Sequence, residues 1–309
     1  MTSTAGALRE LTVAVRSRRL LLPLGILTVL AGAAVVGPWL WPHDPLATNL
    51  SESLLQPSAA HPMGTDASGR DVLARFLAGA RISLFAGVVV AVVSGLIGTV
   101  LGVVSARSGV IVDNVLMRLL DIVLAFPQLI LAMAIAIALG RGVPAAIVGA
   151  ALGCIPVTAR LVRSELLQIS QLPFVTAAET SALPRWRIVL HHLLPHARPT
   201  LVVQSAAVFG STIITLAALG FVGLGAQVPL PEWGSMIAEG LQYSLTGAWW
   251  IVVFPGIGLF LAVAGANILA DRISAHGDAA ATGNTPERGA VRGTGDVSGV
   301  MDTEDGARR

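Results

Sequence analysis

The sequence predicts an all-α polytopic membrane protein with six transmembrane helices. Three observations lead there. Of 309 residues, 54% are apolar and only 12% charged, with a mean hydropathy of +0.76; a soluble domain carries about 25% charged residues. The apolar residues fall into six runs, each close to the length of about 20 residues that crosses a bilayer. The arginines gather on alternate connections between those runs.

The first run, Leu20 to Trp41, follows Arg16, Arg18 and Arg19 and carries a small-residue step at Ala31-Gly32-Ala33. That start imitates a secretory signal. The apolar character continues to Trp41, so we read a retained span after a cytoplasmic segment, residues 1–19. The second run is Ile82 to Val104, with Gly98 and Gly102 as a small-xxx-small step that permits close helix contact. The third, Ile122 to Leu139, contains Pro127 and is expected to kink there. The fourth, Val143 to Leu161, is the weakest because Pro144 and Pro156 interrupt it. The fifth is Leu201 to Leu224. The sixth, Ala248 to Ala270, contains Pro255 and is expected to kink as well.

With the N-terminus inside, the inner connections hold twelve arginines, among them Arg107, Arg160, Arg163 and Arg198. The outer ones hold Arg70, Arg75, Arg81 and Arg141. That bias places both termini in the cytoplasm. Residues 42–81 and 225–247 are then outside, and 162–200 inside. From 277 to 309 the chain is Gly, Ala, Thr and charge without apolar periodicity, a pattern expected of a disordered tail.

Composition excludes several functions. All 20 basic residues are arginine, so the chain lacks the lysine of a P-loop and hydrolyses no ATP through a Walker motif of its own. The one cysteine, Cys154, rules out a disulfide framework and a cysteine-based zinc site. A formal net charge of +2 does not point to nucleic acid. There is no HExxH, no GxSxG and no carboxylate pair placed for hydrolysis.

The inner connection has the grammar of a structured element. Pro173 suits the first turn of a helix over Phe174 to Ala182. Pro184 biases Leu183 away from the α region and opens a second helix that Pro195 is expected to stop. By pattern alone this hairpin fits either a docking element or an amphipathic hairpin at the interface. His191, His192 and His196 are close in sequence, but helical geometry lets at most two share a face, and we read packing rather than a metal site. Polar residues inside spans mark a candidate path: Gln128, Gln204, Ser211, Thr212 and Thr215, with Ser205 and Asn267. Small hydroxyls also join helices to one another, so each alone stays ambiguous. Asp121, three residues from Arg118, reads as half of a local ion pair.

Phe174 to His196 resembles the cytoplasmic EAA loop of ABC importer permeases, on Phe174, Ala177, Ala178, Arg187, Ile188, His192, Leu194 and Pro195. It departs at Thr176 (for the family's glutamate), at Ala182 (for its glycine) and at Glu179 (where a base is common). HPMGTDASGRDVLARFLAGARISL (His61 to Leu84) is similar to the signature of peptide and nickel importers, in the second, C-type, of their two permease subunits. Asp113 to Leu129, Leu219 to Gly240 and Phe254 to Leu261 resemble further blocks of that subunit, so the likeness covers roughly residues 15–275.

The resemblance implies a type I ABC importer transmembrane domain over 20–276, with the EAA-like loop at 170–196. It implies a heterodimer with a homologous permease in the bacterial inner membrane, two cytoplasmic ABC ATPases and an extracytoplasmic solute-binding protein. The substrate would be a dipeptide, an oligopeptide, a nickel chelate or a related small solute. The chain itself would bind no cofactor, since ATP and Mg belong to the ATPases. The loop would meet its ATPase through Phe174, Ala177, Ala178, Glu179 and Leu183, with Arg187 and His192 holding its second helix. Outside, Asp66, Arg70, Asp71, Glu232 and Trp233 would face the binding protein, unless these loops merely pack and Trp233 is an interfacial anchor. Gly64, Gly69 and Gly234 suit tight turns. An ATP-independent channel or secondary transporter is the alternative; it predicts mid-membrane charges and inverted repeats, and neither stands out.

Overall fold

The computed structural model describes the backbone of residues 3–181 and 183–282 and the side chains of 21–181 and 183–274. Its ends are named here by the arginine bias: outer for the end carrying 41–71 and 222–249, inner for the end carrying 170–193. α1 (Ser3–Leu40) leads into an outer segment that holds a short 3-10 turn (Leu50–Glu52). α2 (Val72–Arg107) then returns to the inner end. At about 1.5 Å per residue it is roughly 54 Å long, well beyond the hydrocarbon core of about 30 Å. It begins at Val72 rather than at Ile82 because Asp71 caps it: the carboxylate accepts the Ala74 N–H at 2.7 Å.

The third span differs most from expectation. α3 (Val110–Leu124) and α4 (Gln128–Leu139) meet at 85°, and neither alone is long enough to cross. Pro127 has no N–H to continue the ladder and disfavours the α conformation at Phe126, and here, unlike at Pro156 and Pro255, the helix breaks.

α5 (Val143–Ile169), expected to be the weakest span, is one continuous helix with 67% of its apolar window buried. Pro144 lies in its first turn, where no hydrogen bond is lost, and Pro156 is accommodated within it. The inner connection forms α6 (Pro173–Thr180) and α7 (Arg185–Ile188). Pro195 does not stop the second helix. A π turn over Val189–Leu193 widens the ladder just before the proline, and the run continues as α8 (Leu194–Phe221). A short outer helix, α9 (Trp233–Ser244), precedes α10 (Trp250–Thr282), which passes Pro255 unbroken. α10 runs past the boundary expected at 276; the rest of the expected disordered tail, and Ala182, lie outside the described residues.

Among the described residues, three apolar clusters fill the bundle. The middle one is mostly alanine (Ala86, Ala132, Ala136, Ala146 and Ala150 with Val90, Leu216 and Leu219). Small residues let backbones approach where lipid gives no hydrophobic drive to helix association. Gly98 and Gly102 of α2 face α5: a Cβ on Gly98 would come within 2.7 Å of Thr158 Cβ, and one on Gly102 within 2.7 Å of Ala159 O. At the inner side Asp113 takes a two-pronged contact from Arg163, at 2.6 and 2.5 Å. Asp121 pairs with Arg160, not with Arg118 as expected, so both carboxylates tie α3 to α5.

This packing yields a paired prediction. Gly98→Ala drives a methyl into α5 and is expected to lower stability by about 1–3 kcal/mol. Gly95→Ala, whose Cβ would meet only Ser205 Oγ at 3.9 Å, should leave stability unchanged or raise it by up to about 1 kcal/mol. Thermal unfolding in detergent reads both.

Candidate functional site

Two groups of residues stand apart from ordinary helix packing, one at each end. At the inner end α6 is anchored on one side only. Val175 and Ala178 are buried in a cluster with Val162, Leu166, Ile188, Val189 and Leu193. The opposite side, with Phe174, Thr176, Ala177 and Thr180, is exposed. Ala178 therefore points into the loop's own core and is no part of an outward contact face, and Leu183 packs partly against the same core. Phe174 remains 37% exposed and rests on the His196 ring at 5.1 Å.

Glu179 accepts from Arg107, at the end of α2, at 3.1 Å. Beside this pair opens a cavity of about 570 Å³ lined by Arg107, Gly109, Glu179, Leu183, Arg185 and Ile188. Arg187 is exposed and stacks over Trp186 at 5.3 Å. The Nδ1 of His192 is buried without a hydrogen-bond partner. Neither side chain clamps the second helix; Ile188, Val189 and Leu193 do so by burial. His191 turns its Nδ1 to Arg187 O at 3.3 Å, and the three inner histidines form no metal cluster among the described residues.

The outer group departs from expectation in a different way. Asp66, Arg70, Asp71, Glu232 and Trp233 are all buried, none more than 7% exposed. Asp66 and Arg70 belong to a clamp, Asp71 and Glu232 cap helices and Trp233 packs in the core, so none of the five lies on an exposed face. Arg70 Nε donates to Asp66 Oδ2 at 2.6 Å and its Nη2 to Glu239 Oε2 at 2.8 Å. Arg75, which the sequence reading used only for topology, completes the network: its Nη2 reaches Glu239 at 3.1 Å and its Nε lies 3.4 Å from Asp66. Charge taken out of water must be paired, and here two guanidinium groups share two carboxylates.

Glu232 caps α9, accepting from Gly234 and Ser235 N–H and from the Ser83 hydroxyl of α2. Burial pushes its carboxyl above the usual range, against the downward pull of those three donors. Trp233 is fully buried, stacked on Phe76 at 5.5 Å with its indole N–H on Phe76 O, so it is a core residue and not an interfacial anchor. Gly64 and Gly69 do hold positive φ in tight turns. Gly234 instead sits in α9 where any Cβ would strike the Ala217 backbone.

The path candidates divide. Thr212 and Thr215 are buried and donate to carbonyls of their own helix, as does Ser211, which is half-buried. Gln204 reaches Thr158 Oγ1 at 3.5 Å and Gln128 reaches Cys154 Sγ at 3.4 Å, each across to α5 and each half-buried. Thr212 and Thr215 are thus enclosed between helices, while Gln128, Gln204 and Ser211 keep partly open faces.

A bundle of apolar helices with a half-anchored helix at one end and an ion clamp at the other is that of a multi-pass membrane protein. Residues 98–280 match the family described as binding-protein-dependent transport system inner membrane component, and the chain belongs to that family. It is 43% identical over 239 residues to the probable D,D-dipeptide transport system permease protein DdpC of Escherichia coli (strain K12), which covers 77% of this chain and 80% of that protein. It is 39% identical over 246 residues to the dipeptide transport system permease protein DppC of Alkalihalophilus pseudofirmus, with coverage of 80% and 81%. It is 39% identical over 215 residues to the glutathione transport system permease protein GsiD of Pectobacterium atrosepticum, with coverage of 70% and 71%. A chain of an inward-facing MetNI methionine ABC transporter superposes with a TM-score of 0.52 at 24% identity, over 69% of this chain and 97% of that one. That likeness concerns the fold alone.

Two predictions test the outer clamp. Arg75→Met leaves the buried Asp66 and the partly exposed Glu239 to share Arg70 alone and is expected to cost about 2–4 kcal/mol, whereas Arg81→Met, at an exposed position, should cost almost nothing; yield and thermal unfolding read both. For Glu232, the folded chain holds the carboxyl proton more tightly than the unfolded chain. Its contribution is full below the ordinary glutamate value of about 4.3 and is lost as pH rises through the raised folded value. Glu232→Gln removes the titration while keeping an acceptor for only one of the two backbone N–H groups; it should lower the melting temperature overall and flatten that fall when melting temperature is followed from acid to neutral pH.

Proposed function

We propose that this chain is the C-type permease subunit of an ATP-driven importer for peptides or a closely related small solute. It would form half of the transmembrane path, beside a homologous permease. The observation that carries the reading is α6: a short helix fixed to its own protein by one face, with the other left to solvent at the inner end. The names of the similar proteins support a peptide-class substrate.

In this reading two cytoplasmic ABC ATPases supply the ATP and Mg chemistry, and each grips one such loop. α6 sits between the end of α5 and the continuous run from Arg185 to Phe221. A displacement of α6 therefore loads two spans at once, and the Arg107–Glu179 pair passes part of it to α2. Differential binding of the ATPase to two arrangements of the loop would bias the helices between inward and outward opening. The exposed Phe174 and Ala177 form the grip, and the adjoining cavity with Arg107 and Arg185 has room for an acidic or phenolic side chain of the ATPase. Both termini lie in the cytoplasm, as the arginine bias requires. At the far end an extracytoplasmic binding protein meets the surface over the clamp, where Val228 and Leu245 are exposed, and not the clamp itself.

The test is purification of a tagged chain from its own host in mild detergent, with identification of every co-purifying protein. The expected result is a P-loop ATPase and a second permease, with Ala177→Arg losing the ATPase while keeping the permease. A stable chain free of ATPase, under conditions where other importers hold theirs, would overturn the reading.

A further inference from the structure

At the outer end three side chains that the transport reading leaves unused come together. His43 follows α1 directly, His61 lies in the turn that leads to α2, and Asp71 caps α2. One ligand atom from each lies within 4.8 Å of the other two. The carboxylate is fixed before any ion arrives: Asp71 Oδ1 accepts the Ala74 N–H at 2.7 Å and the Trp41 indole N–H at 3.0 Å. That commits Oδ2 to face His61 Nδ1, at 2.7 Å. On the far side of the same imidazole, Nε2 lies 3.8 Å from Glu52 Oε2. The His43 ring stands between Trp41 and His61, with centroids 5.4 and 5.1 Å away.

A capping hydrogen bond between Asp71 and His61 needs only those two residues. It accounts for neither the second imidazole beside them nor the carboxylate behind the first. We propose that His43, His61 and Asp71 form a binding site for a divalent transition-metal ion of the zinc or nickel class, which staples the chain leaving α1 to the cap of α2. Two imidazoles and one carboxylate favour such an ion over calcium or magnesium, which take all-oxygen sites. Three protein ligands leave a fourth position for water.

The ion takes the place of the proton between His61 Nδ1 and Asp71 Oδ2: in the neutral imidazole the Nδ1 proton leaves and Nε2 takes one up, so the ring stays neutral and no proton is released overall. His61 Nε2–H then points to Glu52, the arrangement of a carboxylate behind a ligating imidazole that fixes ring orientation. Donors bound to one ion at about 2.0–2.2 Å stand closer together than 4.8 Å. The exposed His43, held by ring contacts alone, moves in, and His61 Nδ1 and Asp71 Oδ2, now 2.7 Å apart, separate by roughly half an ångström to admit the ion. The site does not depend on what the bundle transports.

The experiment uses the full chain in its native complex, carried on a tag without histidine, stripped with chelator and desalted after incubation with Zn²⁺ or Ni²⁺ alone. Retained metal is measured by mass spectrometry and thermal unfolding is followed in parallel. The expected result is a stoichiometry near one per chain and a raised melting temperature. His43→Ala should keep the metal-free melting temperature and bind at least about tenfold more weakly, while His191→Ala binds as the parent does. Retention unchanged in His43→Ala, retention lost in His191→Ala, or no retention by the parent would each overturn the proposal.

Discussion

Arg75 lies on the first turn of the longest uninterrupted α-helix after α1, with 1% of its side chain exposed, between the carboxylates of Asp66 and Glu239. Withdrawing a guanidinium from water costs several kcal/mol, and only close pairing offsets it. The geometry of the outer end follows from that demand. The loop before α2 must bring Asp66 back towards the helix, which the positive-φ turns at Gly64 and Gly69 permit. α9 must approach closely enough to offer Glu239, which the absence of a Cβ at Gly234 permits. Glu232 and Trp233 then fasten the start of α9 to Ser83 and Phe76 of α2. The outer end is a block, and α2 is the strut that leaves it.

The strut ends at Arg107, on the ion pair with Glu179. Between block and loop the contacts change character. The middle layer is alanine and glycine against α5, close-packed but without large interlocking side chains. The inner layer holds α6 by two buried residues and an exposed ion pair, and exposed pairs are worth little. α6 itself is thus held more lightly than the outer block, which suits the proposed role in which a partner moves it while the outer end keeps its shape.

Much of this was legible in the sequence, and what was not has identifiable causes. The spans showed because lipid demands long apolar runs. Their boundaries did not, because a cap such as Asp71 starts a helix among polar residues that hydropathy reads as loop. Prolines misled in three ways: Pro127 broke its helix, Pro156 did not, and Pro195 was absorbed by a π turn whose widening depends on tertiary packing. The outer charges were expected to face a partner because the resemblance implies a binding protein at that end. Their partner Glu239 is 169 positions from Arg70, beyond any local pattern. The i,i+4 spacing of Asp66 and Arg70, with Arg75 and Glu239 as further opposite charges near signature blocks, was the signal that could have revealed the clamp. For the loop, the sequence placed α6 correctly, but could not show that Ala178 turns inward while Ala177 turns out.

The claim that the exposed face of α6 is the grip of a cytoplasmic ATPase is tested most directly by crosslinking from Ala177→Cys in native membranes. The one native cysteine, Cys154, is buried in α5, so a thiol at 177 is the accessible one among the described residues. The account predicts that a short photoactivatable reagent carried at 177 yields an adduct with a P-loop ATPase, and that intact cells shield the thiol from a membrane-impermeant maleimide. Labelling of that thiol from outside intact cells, or a stable chain whose reagent at 177 never captures an ATPase, would contradict it.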